Sequence, residues 1–282
     1  MSTNKDRVIL VVGGACGMGA ETVCRLYREG AKLVVLDLNE EAWEELVEDE
    51  ELTDGPGTID FVGGDVCDAS VRQAAIDIVK EKYGTLDALL YIAGVLDLMC
   101  PAHKTDDELY DYVMDVNVNS CFRMCRDCLP LLWDHEGLPA NICIVGSVGG
   151  QVGSSAGAAY ITSKHAVLGL ARNLAHTYRF RNVRTNVVNP GACATDILSN
   201  AMEKWPDRDI MDLDGNELYN VRGAVALGVD WDGKNITGWP EDIANAILYL
   251  ISDEAHDVNG VPSLFCSTHA AASAGTQSSP RS

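Results

Sequence analysis

The chain has 282 residues, of which 47% are hydrophobic and 22% are charged. This is the composition of a globular protein with a large buried core, and it excludes a disordered chain, a collagen-like repeat and a disulfide-stabilised miniprotein. The formal net charge of −21 repels phosphate backbones and anionic lipid surfaces, so we expect no nucleic-acid partner and no membrane partner.

Short apolar runs rich in Val, Ile and Leu predict strands buried on both faces. They cover residues 8–12, 33–36, 59–62, 88–92, 142–145 and 185–188. Amphipathic stretches predict helices over residues 18–29, 40–50, 69–83, 106–133, 160–178 and 241–252. Parallel strands need crossover helices, so this alternation predicts an α/β fold with a doubly wound, Rossmann-type parallel sheet.

No linker divides the chain, which predicts a single domain over residues 1–269. Gly30 and Gly84 are predicted to end the first and third helices, as glycine does at helix C-termini. A less regular segment, residues 196–240, precedes the last helix. Residues 270–282 are rich in Ala, Ser, Gly and Thr and predict a flexible tail.

The start of the chain and its ten cysteines bear on location. Residues 1–6 are polar, which predicts no signal peptide, and no apolar run approaches the ~20 residues of a membrane span. Cysteines in a reducing compartment are mostly free thiols. We therefore expect a soluble, cytoplasmic protein.

A glycine-rich turn joins the first strand to the first helix. It reads Gly13-Gly14-Ala15-Cys16-Gly17-Met18-Gly19. Glycines let the backbone turn tightly and approach a pyrophosphate, which then lies on the free N–H groups of the helix N-terminus.

The second strand ends at Asp37, whose carboxylate can accept hydrogen bonds from both adenosine ribose hydroxyls and repels a 2′-phosphate. Leu38 follows where a basic residue would favour NADP, so we predict NAD. Asp37 could instead cap the next helix, but Asn39 already serves that role.

Tyr160 and Lys164 are four residues apart, so both lie on one face of a helix, and Ser147 precedes the tyrosine by thirteen residues. An ammonium beside a phenol favours the phenolate and lowers the pKa of the tyrosine. The pair therefore predicts a general acid/base for an alcohol or a carbonyl.

The glycine turn, Asp37 and the set of serine, tyrosine and lysine occur together in one chain. In this combination of motifs the chain resembles the single-domain branch of the short-chain dehydrogenase/reductase family, over about residues 7–268. The resemblance implies that Asn117, Ser147, Tyr160 and Lys164 are catalytic. It also implies that the cofactor contacts the glycine turn and motifs after later strands. These residues are Gly13, Cys16, Gly17, Met18, Gly19, Asp37, Leu38, Asp65, Val66, Ala93, Gly94, Tyr160, Lys164, Pro190, Gly191 and Thr195.

The mechanism implied by the resemblance assigns a role to each catalytic residue. Tyr160 takes the alcohol proton while hydride leaves the same carbon for the nicotinamide. Ser147 donates a hydrogen bond to the substrate oxygen, and Lys164 lowers the pKa of the tyrosine and holds the nicotinamide ribose. Asn117 anchors a water that relays the proton. Family members are usually tetramers built on the fourth and fifth helices, so residues 121–128 and 166–178 could form that interface.

Two positions depart from the family pattern. Val12 lies where the family usually has threonine, and Ile92 replaces the asparagine of its Asn-Ala-Gly motif. Because the two residues are on neighbouring strands, we expect an apolar contact between them to replace a polar one.

Other residues have competing interpretations. Cys121, Cys125 and Cys128 match a spacing that holds an iron–sulfur cluster in radical enzymes, but on one helix face they are better explained as small packing residues. The six histidines show no paired metal spacing, so we assign no metal site. The less regular segment holds many large side chains, which could wall a substrate site or pack against the body or another subunit. They are Trp205, Trp231, Trp239, Met202, Ile210, Met211 and Tyr219, and Ala192 and Cys193 would line the same entrance.

The leading hypothesis is an NAD-dependent oxidoreductase that interconverts a secondary alcohol and a ketone on a bulky apolar substrate, with a hydroxysteroid or bile acid as first choice. A sugar-alcohol dehydrogenase and a 3-oxoacyl thioester reductase remain alternatives, because near-identical motifs serve them. A non-catalytic NAD-sensing protein is the alternative from another class. Such a protein would keep the glycine turn but usually lose the serine, tyrosine or lysine.

Overall fold

The structure is a computed structural model, and it describes residues 4–48, 52, 55–133, 139–153, 156–208 and 238–265. Seven parallel strands form one sheet in the order β3-β2-β1-β4-β5-β6-β7. The strands are β1 Val8–Val12, β2 Lys32–Asp37, β3 Thr58–Gly63, β4 Ala88–Tyr91, β5 Ala140–Val145, β6 Val183–Pro190 and β7 Pro262–Phe265. The chain is a single domain with the predicted Rossmann-type, doubly wound fold.

Helices cover both faces of the sheet. They are α1 Gly17–Arg28, α2 Glu40–Glu48, α3 Ala69–Ile78, α4 Asp107–Met114, α5 Ser120–Leu132, α6 Ala158–Tyr178, α7 Ile197–Lys204 and α8 Pro240–Ile251. One turn of π-helix, Val79–Tyr83, extends α3, and another, Asp115–Asn119, joins α4 to α5. None of the helices in the described ranges is long and apolar enough to cross a membrane.

The core has one layer on each side of the sheet, because successive strand residues point to opposite faces. On one side, Leu10 of β1 packs with Ile76 of α3, Cys125 of α5 and Val167 of α6. On the other side, a second layer joins the sheet to α1, α2 and α8. Its members include Val11, Val23, Val35, Trp43 and Ile247. The short apolar runs that predicted strands buried on both faces are confirmed for β1, β2, β4, β5 and β6. The prediction is wrong for the edge strand β3, whose residues are half-buried or exposed.

The strand order creates a switch point between β1 and β4. After β3 the chain returns to the opposite side of β1, so the connections after β1 and β4 leave the sheet in different directions. Val12, the last residue of β1, lies opposite Leu36 of β2 and Tyr91 of β4. The carboxyl ends of these strands therefore meet at one edge, which is where open α/β sheets bind ligands.

Several predicted boundaries differ from the structure. The helix predicted over residues 106–133 is interrupted by the π-helical turn, and α7 lies in the segment predicted to be less regular. Strand β7 lacks a long apolar run and was not predicted. Gly30 and Gly84 end their helices with φ of +87° and +75°, which confirms them as C-terminal glycines. The predicted tail, residues 270–282, lies outside the described residues.

The expected contact between Val12 and Ile92 is wrong. Val12 belongs to the core layer that contains α5 and α6, whereas Ile92 belongs to the layer that contains α1 and α8. The two residues are joined through the backbone instead, since the amide of Ile92 donates to the carbonyl of Val12 at 2.9 Å. A one-position offset along neighbouring strands sends the side chains to opposite faces.

Cys121, Cys125 and Cys128 are fully buried on the core-facing side of α5. They pack with apolar side chains of the layer that covers α3, α5 and α6. This is the packing role that their spacing on one helix face predicted. In the part of the chain that the structure describes, no three His, Cys, Asp or Glu side chains are arranged so that they could hold a metal ion.

Candidate active site

A cavity of about 990 Å³ opens at the carboxyl ends of the strands, at the switch point between β1 and β4. All but one of the predicted site residues line it, and the exception is Asn117. The lining residues are Gly13, Cys16, Gly17, Met18, Gly19, Asp37, Leu38, Asp65, Val66, Ala93, Gly94, Ser147, Tyr160, Lys164, Pro190, Gly191 and Thr195. The fold thus brings together residues that are separated by up to 182 positions in the sequence, from Gly13 to Thr195.

Glycine is required in the turn after β1 because the backbone is crowded there. Gly13 has φ of +85°, and a Cβ on it would lie 2.5 Å from the amide nitrogen of Ala93. A Cβ on Gly19 would lie even closer to the carbonyl oxygen of Gly13. No larger residue fits either position, so the turn keeps the N-terminus of α1 open toward the cavity.

The N-terminus of α1 offers amide donors to an anion. Among the described residues, no side chain caps the helix at Cys16, and its first turn contains no carboxylate. The first amides of a helix lack partners within the helix and lie at the positive end of its dipole. This end of the cavity can therefore hold a pyrophosphate.

Asp37 lies at the end of β2, against the glycine turn. Its carboxylate accepts from the amide of Ala15 at 2.8 Å and from the amide of Asn39 at 2.9 Å. The side chain of Asn39 accepts from the amide of Ala42 at 2.9 Å and so caps α2. Asp37 is not the side chain that caps this helix, and it lines the cavity. The bond from Ala15 was not predicted, because nothing local in the sequence indicates it.

Ser147 and Tyr160 face each other across the cavity floor. Ser147 follows β5 in an extended conformation, and its hydroxyl accepts from the amide of Gly149 at 3.1 Å. Its own amide donates to Oδ1 of Asn189 at 3.1 Å. The hydroxyl of Ser147 shares a hydrogen bond with that of Tyr160 in the first turn of α6. The serine is thus held by β6 while it contacts the tyrosine.

Lys164 lies one helical turn after Tyr160 and is 4% exposed. Its Nζ lies 5.5 Å from the centre of the Tyr160 ring and donates to the carbonyl of Val145 at 3.1 Å. Burial lowers the pKa of Lys164 to about 8, because desolvation disfavours the ammonium. The lysine is therefore mostly an ammonium at pH 7 and loses its proton around pH 8.

The predicted lowering of the tyrosine pKa is wrong for the protein alone. Burial raises the pKa of Tyr160, and the negative charge of Asp97 raises it further, while the hydrogen bond with Ser147 lowers it. The sequence placed a cation beside the phenol but could not show how much water the fold removes from it. Desolvation disfavours the phenolate, so a further positive charge is needed to form it at neutral pH.

Asn117 lies behind the cavity wall, in the π-helical turn between α4 and α5. Its side chain accepts from the amide of Val95 at 2.8 Å, and donates to the carbonyl of Val95 at 3.0 Å and to the hydroxyl of Ser163 at 2.9 Å. A Cβ on Gly94 would lie 3.4 Å from its Oδ1 and 3.2 Å from Nζ of Lys164. Asn117 therefore ties the loop after β4 to α6.

Apolar side chains line the cavity beyond the glycine turn, and the polar residues Asn200, Glu203 and Lys204 of α7 line it as well. Residues from the loop after β4, from α4 and from α7 form this apolar wall: Leu96, Met99, Tyr112, Ile197 and Leu198. Ala192 and Cys193 line it as predicted. Trp205 packs edge-on against Tyr112, with ring centres 5.8 Å apart, and so supports this wall from behind. Ile210, Met211, Tyr219 and Trp231 lie outside the described residues.

Asp97 is a buried residue that was not predicted from the sequence. It is completely inaccessible to solvent, and its carboxylate accepts from the amides of Gly157 at 3.1 Å and Tyr160 at 2.9 Å. Its only signal in the sequence is that it is a single acid between the apolar residues Leu96 and Leu98.

The fold has known counterparts. A family model described as short chain dehydrogenase matches residues 7–205. The chain is similar to a 3beta-hydroxysteroid dehydrogenase of Mediterraneibacter gnavus, with 30% identity over 257 residues that cover 90% of this chain and 91% of the relative. It is 33% identical over 261 residues to (+)-borneol dehydrogenase 2 of Salvia officinalis, covering 90% of this chain and 86% of the relative. The crystal structure of levodione reductase matches with a TM-score of 0.77 and 27% identity, covering 95% of this chain and 99% of that chain.

Proposed function

Because the chain belongs to the short-chain dehydrogenase family of oxidoreductases, we propose that it interconverts a secondary alcohol and a ketone on a bulky apolar substrate, with NAD as cofactor. The observation that carries the proposal is that Ser147, Tyr160 and Lys164 line the same cavity as the glycine turn. One cavity has room for a nucleotide along the strand ends and a substrate beside Tyr160.

In the oxidation direction, deprotonated Tyr160 takes the proton of the substrate alcohol. Ser147 donates a hydrogen bond to the substrate oxygen and stabilises the charge that develops there. Bound NAD supplies the hydride acceptor and a positively charged ring, which favours the phenolate. Lys164, held by the carbonyl of Val145, adds positive charge beside the tyrosine and binds the nicotinamide ribose. Asn117 holds the loop after β4 and, as the family resemblance implies, anchors a water that relays the proton.

The donors and acceptors at the nucleotide end of the cavity fit NAD. The first amides of α1 can donate to the pyrophosphate, and Asp37 can accept from the ribose hydroxyls. Leu38 is 66% exposed beside Asp37 and brings no cation that could pair with a 2′-phosphate. We expect kcat/KM for NAD to exceed that for NADP by at least about tenfold, which corresponds to about 1.4 kcal/mol. An equal value for NADP would contradict this assignment.

The apolar wall supports a bulky hydrophobic substrate. Leu96, Met99, Ile197 and Leu198 offer no hydrogen-bonding side chains, whereas Asn200, Glu203 and Lys204 can receive a polar group of such a substrate. Two relatives are named for a 3beta-hydroxysteroid and for (+)-borneol, so a hydroxysteroid or bile acid is the substrate class we propose first. The net charge of −21 disfavours an acidic acyl carrier as partner, which argues against a 3-oxoacyl thioester.

The experiment that tests the proposal follows the absorbance of reduced cofactor with hydroxysteroids, polyols, simple secondary alcohols and 3-oxoacyl thioesters. Tyr160→Phe is expected to lower turnover at least about 100-fold while retaining NAD binding, because only the proton-transferring hydroxyl is removed. Tyr110→Phe is the matched control, since Tyr110 is exposed on α4 and does not line the cavity. NAD binding with no turnover on any class would instead support a non-catalytic NAD-sensing protein.

We propose that four copies of the chain assemble into a homotetramer through α5 and α6. Phe122 on α5 is 49% exposed, and a Cβ on Gly169 of α6 would meet nothing within 4 Å, so both helices carry a side that another subunit could cover. Light scattering should give four times the monomer mass, and Phe122→Glu should lower it. A monomer would overturn this assignment.

A reducing, cytoplasmic location is also proposed. The nine cysteines in the described ranges are free thiols, which is the usual state of cysteine in the cytoplasm. Fractionation of the producing cells tests this, and recovery in a secreted or periplasmic fraction would refute it.

A further inference from the structure

Asp97 supplies the missing cap of the helix that carries Tyr160. The cap position of α6 is Gly157, which has no side chain to accept the first amides of the helix. The carboxylate of Asp97 accepts two of these amides, from Gly157 and from Tyr160 itself. A cap is normally supplied by the residue at the cap position. Here it comes from a residue 60 positions earlier in the chain, in the loop after β4.

The backbone is crowded and strained around this contact. A Cβ on Gly157 would lie 2.3 Å from both carboxylate oxygens of Asp97. The two residues that follow, Leu98 and Met99, have φ of +56° and +59°, a conformation that is unfavourable for residues with side chains. Both are buried. Such strain persists only where the surroundings over-determine it, and it concentrates at functional sites.

The same loop forms part of the substrate wall. Leu96 and Met99 line the cavity on either side of Asp97, and both pack in one cluster with Tyr160. We propose that Asp97 is a positioning residue, which fixes the substrate-binding loop after β4 to the backbone of Tyr160 and so sets the distance between substrate and general base. This inference rests on the proposed function, since it assigns Tyr160 that role.

The charge of Asp97 adds a second, measurable effect. The groups that face Tyr160 are the hydroxyl of Ser147, the ammonium of Lys164 and the carboxylate of Asp97, while α7 presents apolar side chains to it. Of the three, Asp97 raises the pKa of Tyr160. Its removal should therefore lower the pH at which the oxidation rate reaches half its maximum. Asp97 is not among the groups that shift the pKa of Lys164, so the titration of the lysine should be the same in the wild type and in Asp97→Asn.

Two variants distinguish the effect of the hydrogen bonds that Asp97 accepts from the effect of its negative charge. Asp97→Asn removes the charge. It also places the NH2 group of the asparagine against one of the two backbone N–H donors, so that one hydrogen bond is lost. Gly157→Ala keeps the charge but pushes the carboxylate away from the helix. Both should lower kcat at least about tenfold, because displacements of the order of 1 Å between reacting groups are costly. Asp97→Asn should move the pH midpoint to lower pH, and further than Gly157→Ala, which keeps the charge. The KM for NAD should change less than about twofold, since neither residue lines the cavity.

Asp87→Asn is the matched control. Asp87 accepts from the amide of Val8 at 2.7 Å, so the same chemical change removes a similar bond at the opposite end of the sheet. It should leave kcat and the pH midpoint unchanged. An equal loss of kcat in this variant, or unchanged kcat and pH midpoint in Asp97→Asn and Gly157→Ala, would overturn the proposal.

Amide hydrogen exchange at the start of α6 tests the anchor without any substrate. Exchange at residues 157–160 should be faster in Asp97→Asn than in the wild type, and unchanged exchange would refute the anchoring role even if no substrate were found. Retained turnover in Tyr160→Phe would refute the proposed function instead, so the two failures are distinguishable.

Discussion

Lys164→Met is expected to stabilise the folded protein while it abolishes activity. Burial lowers the pKa of Lys164 from 10.5 to about 8, and one pKa unit corresponds to about 1.4 kcal/mol, so holding the ammonium at pH 7 costs about 3 kcal/mol. The carbonyl of Val145 loses its partner in the variant, which costs about 1 kcal/mol. The net gain is about 2 kcal/mol, or roughly 4 °C in Tm for a domain of this size.

The pH dependence of this gain follows from the direction of the pKa shift. The pKa of Lys164 is lower in the folded state than in the unfolded state, so between pH 8 and 10.5 the unfolded state binds more protons. The stability of the wild type relative to the variant therefore rises with pH through this window. The advantage of Lys164→Met should be full below pH 8 and should shrink toward pH 10.5.

Urea denaturation at pH 7 and at pH 9.5 measures the effect, with NAD turnover recorded for the same samples. Lys80→Met is the matched control, because Lys80 is exposed on the surface, and it should show no such pH-dependent gain. A variant that is less stable than the wild type at pH 7, or one whose advantage is equal at both pH values, would refute the reasoning. Turnover is expected to fall at least about 100-fold, since the charge beside Tyr160 is lost.

The remaining predictions concern the glycine turn and the nucleotide site. Gly13→Ala should lower the free energy of unfolding by at least about 2 kcal/mol in urea titrations, because the added Cβ meets the backbone of Ala93 at a φ of +85°; unchanged stability would contradict this. Leu38→Arg should raise the ratio of kcat/KM for NADP to that for NAD at least about tenfold, since a guanidinium beside Asp37 can pair with a 2′-phosphate; an unchanged ratio would mean that Leu38 does not face that position.

Local features of the sequence were sufficient for most of the fold. Strands and helices follow from apolar periodicity, and the glycine turn follows from backbone sterics, so both were predicted from neighbouring residues alone. The one helix predicted over residues 106–133 was interrupted by the π-helical turn Asp115–Asn119, because periodicity cannot detect a single inserted turn. Strand β7 was missed because it is defined by pairing with β6 rather than by its own composition.

The main residues of the candidate site could also be identified from the sequence, since Tyr160 and Lys164 share a helix face whatever surrounds them. Only the tertiary structure decided their environment. It buried Lys164, which lowers its pKa, and it desolvated Tyr160, which raises the pKa of the tyrosine against the expectation from their spacing. It also joined Asp97 to the start of α6 across 60 residues. Spacing along an element reflects local backbone geometry, whereas solvation and long-range hydrogen bonds depend on atoms that meet only after the sheet has formed.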